Sequence, residues 1–240
     1  VRALKEWKII AKKFMLWLYD ADFGDWLSYF PSLNTIKETA SGLTDFGAIY
    51  VLLQGTEFEL QNWQSNLRGY IYRNLLWDSN MDVDALKNEY IDLYYGETAA
   101  PYVKRFIDNY DMNYAVAVAN NPDLVIMSWE DNYLDPLKGC ITLSFLLNQI
   151  NIINDAKGAV ISDETLSSSD KEILLKRLSA VEVTPMYTIY RFYRSFYPLS
   201  NPDQEHEFLV KMFDLMSYSG IAFIHEGLTV ASLKASLNIL

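Results

Sequence analysis

Cysteine and histidine are scarce in this sequence. The 240 residues include one cysteine, Cys140, and two histidines, His206 and His225. A single cysteine excludes an internal disulfide, and two separated histidines without partner cysteines do not make a zinc-binding set. The glycines form no phosphate-binding motif. We therefore expect neither a metal site nor a cofactor.

Basic charge is also scarce. The chain has 20 Lys and Arg against 31 Asp and Glu, a net charge of -11, and it contains no basic run. Nucleic-acid backbones and anionic membrane surfaces both select clustered Lys and Arg, so neither partner is expected. No apolar run approaches the roughly 20 residues of a membrane span. The charge balance favours a neutral or weakly charged ligand.

Hydrophobic residues, by contrast, are abundant. They make up 50% of the chain and aromatic residues make up 15%, which predicts a sizeable packed core rather than disorder. The sequence opens at Val1 without a start methionine or a signal-peptide pattern, and we expect a fragment or a processed product.

Two short apolar runs in the first sixty residues predict β-strands. They cover Phe14 to Tyr19 and Ala48 to Leu53, and each is followed by polar residues and a glycine. Runs of about six residues that are apolar on both faces are typical of buried parallel strands. The segment from Asn34 to Asp45 predicts one crossover helix between them. Together these segments predict a β-α-β unit.

From Asn62 onward the apolar residues recur with the period of a helix. We predict six or seven helices, with one ending at Gly96 and a long one beginning near Ser169 that is kinked or interrupted at Pro185. The predicted class is mainly α with a small parallel α/β portion. We place the domain boundary between residues 1–78 and 79–240.

Several motifs carry a resemblance to a known family. They are Trp17 and Tyr19 with Phe30-Pro31, Gln54-Gly55, Leu67-Arg68-Gly69-Tyr70, Asn74-Leu75-Leu76-Trp77-Asp78, Asp82 to Leu86, Tyr94-Tyr95-Gly96, Ala99 to Tyr102, Gly220-Ile221 and Glu226-Gly227. These motifs resemble a bacterial domain-of-unknown-function family, number 4838, whose members are usually exported and often stand beside carbohydrate-active modules. The Leu76-Trp77-Asp78 turn is also similar to the junction between barrel and helices in bacterial alpha-glucuronidases.

The resemblance implies a fold and a function. The two strands would be the last two β/α units of a TIM-type barrel, followed by an α-helical domain. The protein would be the C-terminal portion of a carbohydrate-active, glycoside-hydrolase-like protein of the periplasm or the extracellular space. Its partner would be a carbohydrate from plant or host glycans. Among these, a uronic-acid-bearing plant glycan is the first candidate. We expect it not to be catalytic alone.

Two positions depart from the family pattern. The family resemblance implies an acidic residue directly after the strand tryptophan and a glutamate directly before Gln-Gly, where this chain has Leu18 and Leu53. An apolar side chain can neither transfer a proton nor act as a nucleophile. These departures favour a non-catalytic branch.

The barrel rule selects the candidate site residues, because functional groups of such barrels follow the C-terminal ends of the strands. We assign substrate binding to six of them and assign no catalytic pair: Asp20, Asp22, Trp26, Gln54, Glu57 and Glu59. The alternative is that the acids cap helices or face water. Trp17 lies inside an apolar strand and is expected in the core or the barrel lumen.

A second function stays open. The chain is alternatively a non-enzymatic helical interaction or scaffold module, which the loss of acids at Leu18 and Leu53 favours. Two parallel strands cannot close a barrel, and their unpaired edges invite association. We therefore expect either a homo-oligomer or a missing N-terminal portion of the barrel.

Overall fold

The structure, a computed structural model, describes residues 2–56, 62–121, 124, 134, 141–196 and 199–239. In that part of the chain the elements follow in this order: α1 (Arg2–Ile10), β1 (Phe14–Tyr19), α2 (Leu33–Asp45), β2 (Ala48–Gln54), α3 (Trp63–Trp77), α4 (Val83–Asn120), α5 (Leu143–Ser162), α6 (Ser168–Phe192), α7 (Pro202–Ser219), β3 (Phe223–His225), β4 (Leu228–Thr229) and α8 (Val230–Ser236). The protein is mostly helical with a small parallel sheet, as predicted.

The parallel sheet is the predicted β-α-β unit. β1 and β2 pair in parallel, and the helix α2 connects them. The register joins Trp17 to Leu52 and Tyr19 to Gln54. Paired residues of a sheet point to the same face, so these four side chains share one face of the strand pair.

Only one face of this sheet is covered by the described helices. On the covered face, Leu53 packs against the main hydrophobic core. On the opposite face, Met15, Trp17, Tyr19 and Tyr50 are each more than half exposed, with Trp17 at 57%. Parallel sheets are normally covered on both faces, so this exposed apolar face is unusual. We call these four residues the aromatic sheet face.

The helices α3 to α7 form the body of the protein. α5 packs between α4 and α6, and α7 packs on the other side of α6. One continuous core includes Ile36 from α2, Ile71 from α3, Phe106 from α4 and Ile153 from α5, all fully buried. Because this core contains side chains from both sides of residue 78, α2 and α3 are held to the helical body by apolar packing. The boundary at residue 78 stays a prediction.

A buried carboxylate joins three of these helices. Glu182 of α6 has no solvent exposure and lies against two lysines, Lys157 of α5 and Lys211 of α7, the latter at 2.7 Å. A buried charge without a partner of opposite sign is strongly destabilising. Here two lysines, one on each neighbouring helix, compensate the charge of one buried carboxylate. This group fixes the relative positions of α5, α6 and α7.

The closing glycines predicted as a family motif lie around a small hairpin. Gly220 ends α7 in the left-handed conformation, with φ 84°, and Gly227 lies in the turn between β3 and β4, with φ 85°. Glycine alone adopts such a φ without strain from a side chain. The hairpin holds the loop after β1, because the Trp26 amide donates a hydrogen bond of 3.0 Å to the Ile224 carbonyl.

Gly96 and Pro185 are the two positions at which the sequence predicts a break or a kink in a helix. Gly96 breaks the helical path with φ 69° and ψ 167°, and α4 continues after the kink. Pro185 does not end its helix, since α6 runs from Ser168 to Phe192 with Pro185 inside it. Pro185 is buried together with its neighbours, and tertiary packing of this kind offsets the lost backbone hydrogen bond.

We predict that Gly96→Ala lowers the free energy of unfolding by about 1–3 kcal/mol, because its φ and ψ are accessible essentially to glycine alone. The matched control is Gly69→Ala in α3, where an added Cβ meets no atom within 4 Å. That substitution should raise stability by about 0.5–1 kcal/mol, since alanine favours a helix interior. Urea unfolding of both variants measures the difference, and an equal effect at the two glycines would contradict the assigned backbone conformation.

Candidate functional site

A cavity of about 250 Å³ lies at the carboxyl end of β1, between the sheet, α2, α3 and α4. Hydroxyl groups, one carboxylate and aromatic rings line it: Leu18, Tyr19, Asp20, Phe30, Pro31, Ser32, Thr35, Thr39, Tyr72 and Tyr114. Ligand pockets for drug-sized molecules measure about 300–1,000 Å³, so this cavity suits a smaller group, such as one ring of a larger ligand. We call it the strand-end cavity.

Asp20 and Arg68 form the charged part of the cavity wall. Arg68 Nε lies 3.2 Å from Asp20 Oδ2, and Arg68 Nη2 donates a 2.8 Å hydrogen bond to the Asp20 carbonyl. Both side chains are almost completely buried. Burial raises the pKa of Asp20 above its usual range, although the charge and hydrogen bond of Arg68 act in the opposite direction. The guanidinium therefore fixes the end of β1 on α3.

Hydroxyl groups surround this pair. Burial raises the pKa of Tyr72 to about 12, and the negative charge of Asp20 adds to the shift, so the phenol stays protonated. Thr39 forms a hydrogen bond with Tyr72. The Ser32 hydroxyl is buried and has no hydrogen-bond partner in the described part of the protein. A buried polar atom without a partner is costly, so it indicates room for a water or a ligand hydroxyl.

The aromatic sheet face ends in polar groups at the same end of the strands. The Trp17 indole N–H donates a 2.8 Å hydrogen bond to Gln54 Oε1, which holds the indole ring in one orientation. Tyr19 packs edge-on against Phe23 with ring centroids 5.4 Å apart. Trp17 was expected in the core or a barrel lumen, and it is not in the core of the described protein.

The structure separates the predicted site residues. Asp20 lines the strand-end cavity, and Gln54 lies on the other side of the sheet beside Trp17. Asp22 is buried and accepts a hydrogen bond from the Gly24 amide, which makes it a turn residue. Trp26 is 3% exposed, packed with Phe23, and offers no open ring. Glu57 and Glu59 lie outside the described residues.

Asp25 follows the alternative in which loop acids have structural roles. Its carboxylate accepts hydrogen bonds from the amides of Leu27 and Ser28, both at 2.9 Å. It also lies 2.6 Å from the Arg191 guanidinium of α6. These contacts stabilise the loop after β1 against the helical body and leave Asp25 without a part in the cavity.

Leu18 and Leu53, at which the family resemblance implies acidic residues, are partners in the sheet register. Leu18 lines the strand-end cavity, and Leu53 packs against the core. Neighbouring strands are about 4.8 Å apart, so two carboxylates at these positions would be close to one another. Leucine at these two positions supplies no group able to transfer a proton.

The sequence reasoning missed Arg68, Tyr72 and Ser32. Arg68 is adjacent to Leu67 and three residues before Ile71, and all three are buried on α3. An arginine within a buried helical stripe requires a charged or carbonyl partner, which was the available signal. The hydroxyl groups of Ser32 and Tyr72 reach the cavity through tertiary packing, for which the sequence contains no local pattern.

A partly buried carboxylate supports the loop beside the cavity. The Tyr29 hydroxyl donates a 2.6 Å hydrogen bond to Asp111 Oδ1, and the Tyr29 ring stacks on Tyr110 at 4.4 Å. Burial raises the pKa of Asp111 from 3.8 to about 6, against the lowering effects of Tyr29 and of the Lys87 charge. Tyr29 precedes Phe30 of the cavity wall, so Asp111 holds this wall to α4.

Two absences concern only the described residues. Among them, no cluster of three or more His, Cys, Asp and Glu side chains has the arrangement of a metal site. No helix among them combines the length and the apolar character that crossing a membrane requires.

Comparison with known proteins yields one finding. Residues 1–108 match the model of the family described as "Domain of unknown function (DUF4838)", so this segment of the chain is similar to that family. The family predicted from the sequence motifs is thereby confirmed. No curated protein and no solved structure is significantly similar to the chain. The matched segment includes β1, the loop after it, α2 and α3, which together supply all the lining residues given above for the strand-end cavity except Tyr114.

We predict that the free energy of unfolding falls as the pH rises from about 4 to about 6, through the contribution of Asp111. Between these pH values the folded protein keeps the Asp111 proton and the unfolded chain has lost it, so rising pH favours unfolding. Asp111→Asn keeps an acceptor for Tyr29 and should remove this slope.

The matched control for this pH dependence is Asp155→Asn, at an exposed position of α5. Urea unfolding at intervals across the pH range provides the measurement. A slope that persists in Asp111→Asn, or disappears equally in Asp155→Asn, would show that another group is responsible.

Proposed function

We propose that this chain is the C-terminal portion of a carbohydrate-active, glycoside-hydrolase-like protein that binds or acts on plant or host glycans, and that it is not catalytic alone. The observation that carries the proposal is the aromatic sheet face, with Trp17 fixed by Gln54 at the carboxyl end of the strands. The CH groups of a sugar ring pack against an exposed aromatic ring, and adjacent amides bond to its hydroxyl groups.

The finer fold belongs to the same proposal. β1 and β2 would be the last two strands of a TIM-type barrel, and the aromatic sheet face would line its lumen. Two features support this assignment: the strands are parallel with a helical crossover, and the described helices cover one face only. In such barrels the ligand binds at the carboxyl ends of the strands, where Tyr19, Asp20 and Gln54 lie. Upstream strands or a second copy of the chain would complete the sheet.

Leu18 and Leu53 support the part of the proposal by which the isolated chain is not catalytic. Glycoside hydrolysis requires two carboxyl groups about 5–5.5 Å or about 6.5–9.5 Å apart. Among the described residues that line the strand-end cavity, the one carboxylate, Asp20, is bound to Arg68. A carboxylate held in this way positions a strand and does not act as a free acid or base. We therefore assign binding to this region, in a protein exported to the periplasm or beyond.

A second candidate function is an interaction module, which the same exposed face also favours. Exposed contiguous apolar surface marks protein contacts as well as ligand sites. The two functions differ in the occupant of the aromatic sheet face, which is a glycan in one case and a protein surface in the other. Oligosaccharide binding by a monomer supports the first function. Self-association seen by light scattering, without oligosaccharide binding, supports the second.

We predict that Trp17→Ala weakens the binding of a uronic-acid-bearing xylo-oligosaccharide by about tenfold or more, because central tryptophans dominate the energetics of binding sites. The matched control is Trp77→Ala, which removes an indole that is 93% exposed at the end of α3 and touches neither site. Isothermal titration calorimetry gives both affinities, and circular dichroism checks that both variants fold. Equal affinities for the two variants would refute the assigned surface.

A further inference from the structure

A second concave site lies away from the sheet, between the C-terminal half of α4 and the beginning of α5. It is a groove of about 610 Å³, within the range of small-molecule pockets, and all residues assigned to it below are among those described. Asn109, Asn113, Val116 and Asn120 recur along α4 with the spacing of one helical face, so their side chains line one wall.

Amide side chains dominate the polar surface of this groove. Asn109, Asn113 and Asn120 come from α4, and Asn148 comes from α5. Each amide both donates and accepts hydrogen bonds, which matches the mixed donor and acceptor character of a sugar hydroxyl. None of the described residues that line the groove carries a charge, although the chain has a net charge of -11. The ligand that fits this lining is neutral.

One amide has an unused acceptor. The Asn113 side-chain oxygen is buried and has no hydrogen-bond partner in the described part of the chain. Buried polar atoms are nearly always bonded to protein, water or ligand, so this oxygen indicates an occupant of the groove that carries hydroxyl or N–H donors.

A buried network holds the neighbouring amide in place. Asn109 Nδ2 donates a 3.0 Å hydrogen bond to Gln149 Oε1, and Gln149 Nε2 donates one of 2.9 Å to the Phe106 carbonyl. Gln149 is fully buried, so Asn109 is fixed before any ligand arrives. A preorganised amide loses little conformational freedom on binding.

Apolar groups provide the remaining surface of the groove. Phe145 of α5 and Met112 and Val116 of α4 line it, and Met112 and Val116 are mostly exposed. Sugar rings present both hydroxyl edges and CH faces, whereas a simple polyol presents no flat apolar face. Apolar side chains interspersed with amides therefore favour a ring-containing ligand.

We propose that this groove, which we call the asparagine groove, binds a short neutral oligosaccharide. It would be a second site, on the helical body and separate from the aromatic sheet face. The choice of a saccharide among neutral hydroxyl-rich ligands rests on the proposed function. The existence of the site rests on the amides of the groove and on the unpartnered Asn113 oxygen.

The test titrates xylotriose and cellotriose into the whole chain carrying Trp17→Ala, so that the sheet face does not contribute. Adding Asn113→Ala or Asn148→Ala should weaken binding by about threefold to tenfold, the effect of losing one neutral hydrogen-bond partner. Asn148 is exposed, so its variant keeps the fold even if Asn113→Ala does not. The matched control is Asn154→Ala, which removes an exposed amide of α5 outside the groove.

Each outcome separates this inference from the proposed function. Loss of binding in the groove variants with no effect of Trp17→Ala supports the asparagine groove and refutes the sheet face as a glycan site. Binding that is weakened by Trp17→Ala and unaffected by Asn113→Ala and Asn148→Ala refutes the groove and retains the proposed function. Three further results would overturn the asparagine groove. They are equal affinities of the Asn148→Ala and Asn154→Ala proteins, no saccharide binding at all, and binding of an extended peptide in place of a saccharide.

Discussion

The buried contact between Arg68 and Asp20 is the interaction on which the strand end depends. Arg68 binds both the carboxylate and the main-chain carbonyl of Asp20, and the Asp20 amide in turn donates to the Gln54 carbonyl of β2. One guanidinium on α3 therefore holds the carboxyl ends of two strands. A two-stranded sheet is marginal by itself in water, so it requires such attachment to a packed body. The strand-end cavity and the orientation of Trp17 beside Gln54 both follow from this attachment.

The second constraint is that the sheet has one covered face. Packing of that face against α2 and the main core leaves Met15, Trp17, Tyr19 and Tyr50 exposed on the other. Exposed aromatic rings do not contribute the free energy that their burial would supply. A contiguous exposed apolar surface of this kind marks a binding site, so we expect a bound partner to cover these rings. In the proposed function that partner is a glycan, and the polar ends of the strands provide its hydrogen bonds. The neutral asparagine groove extends the same chemistry to the helical body.

Prediction from sequence succeeded where the signal was local. The first apolar run predicted β1 with its observed limits, and β2 ends one residue later than predicted. The positive φ of Gly96 explains the break predicted there. Prediction failed where tertiary packing determines whether a side chain is buried. Trp26 and Asp22 lie in a polar loop, yet the hairpin and a turn bury them. Of the candidate site, Asp20 and Gln54 were predicted, whereas Arg68, Ser32 and Tyr72 reach it from distant elements, which a single sequence does not bring together.

The most direct test of the aromatic sheet face as a glycan site uses the unmodified chain. Two-dimensional NMR resolves the indole N–H signals of its six tryptophans during titration with a uronic-acid-bearing xylo-oligosaccharide. If the account is correct, the Trp17 indole signal shifts most, because its N–H lies at the polar end of the sheet face, and the Trp77 signal stays in place. A Trp17 signal that is unchanged at saturating ligand, or a Trp77 signal that shifts as much, would contradict the account.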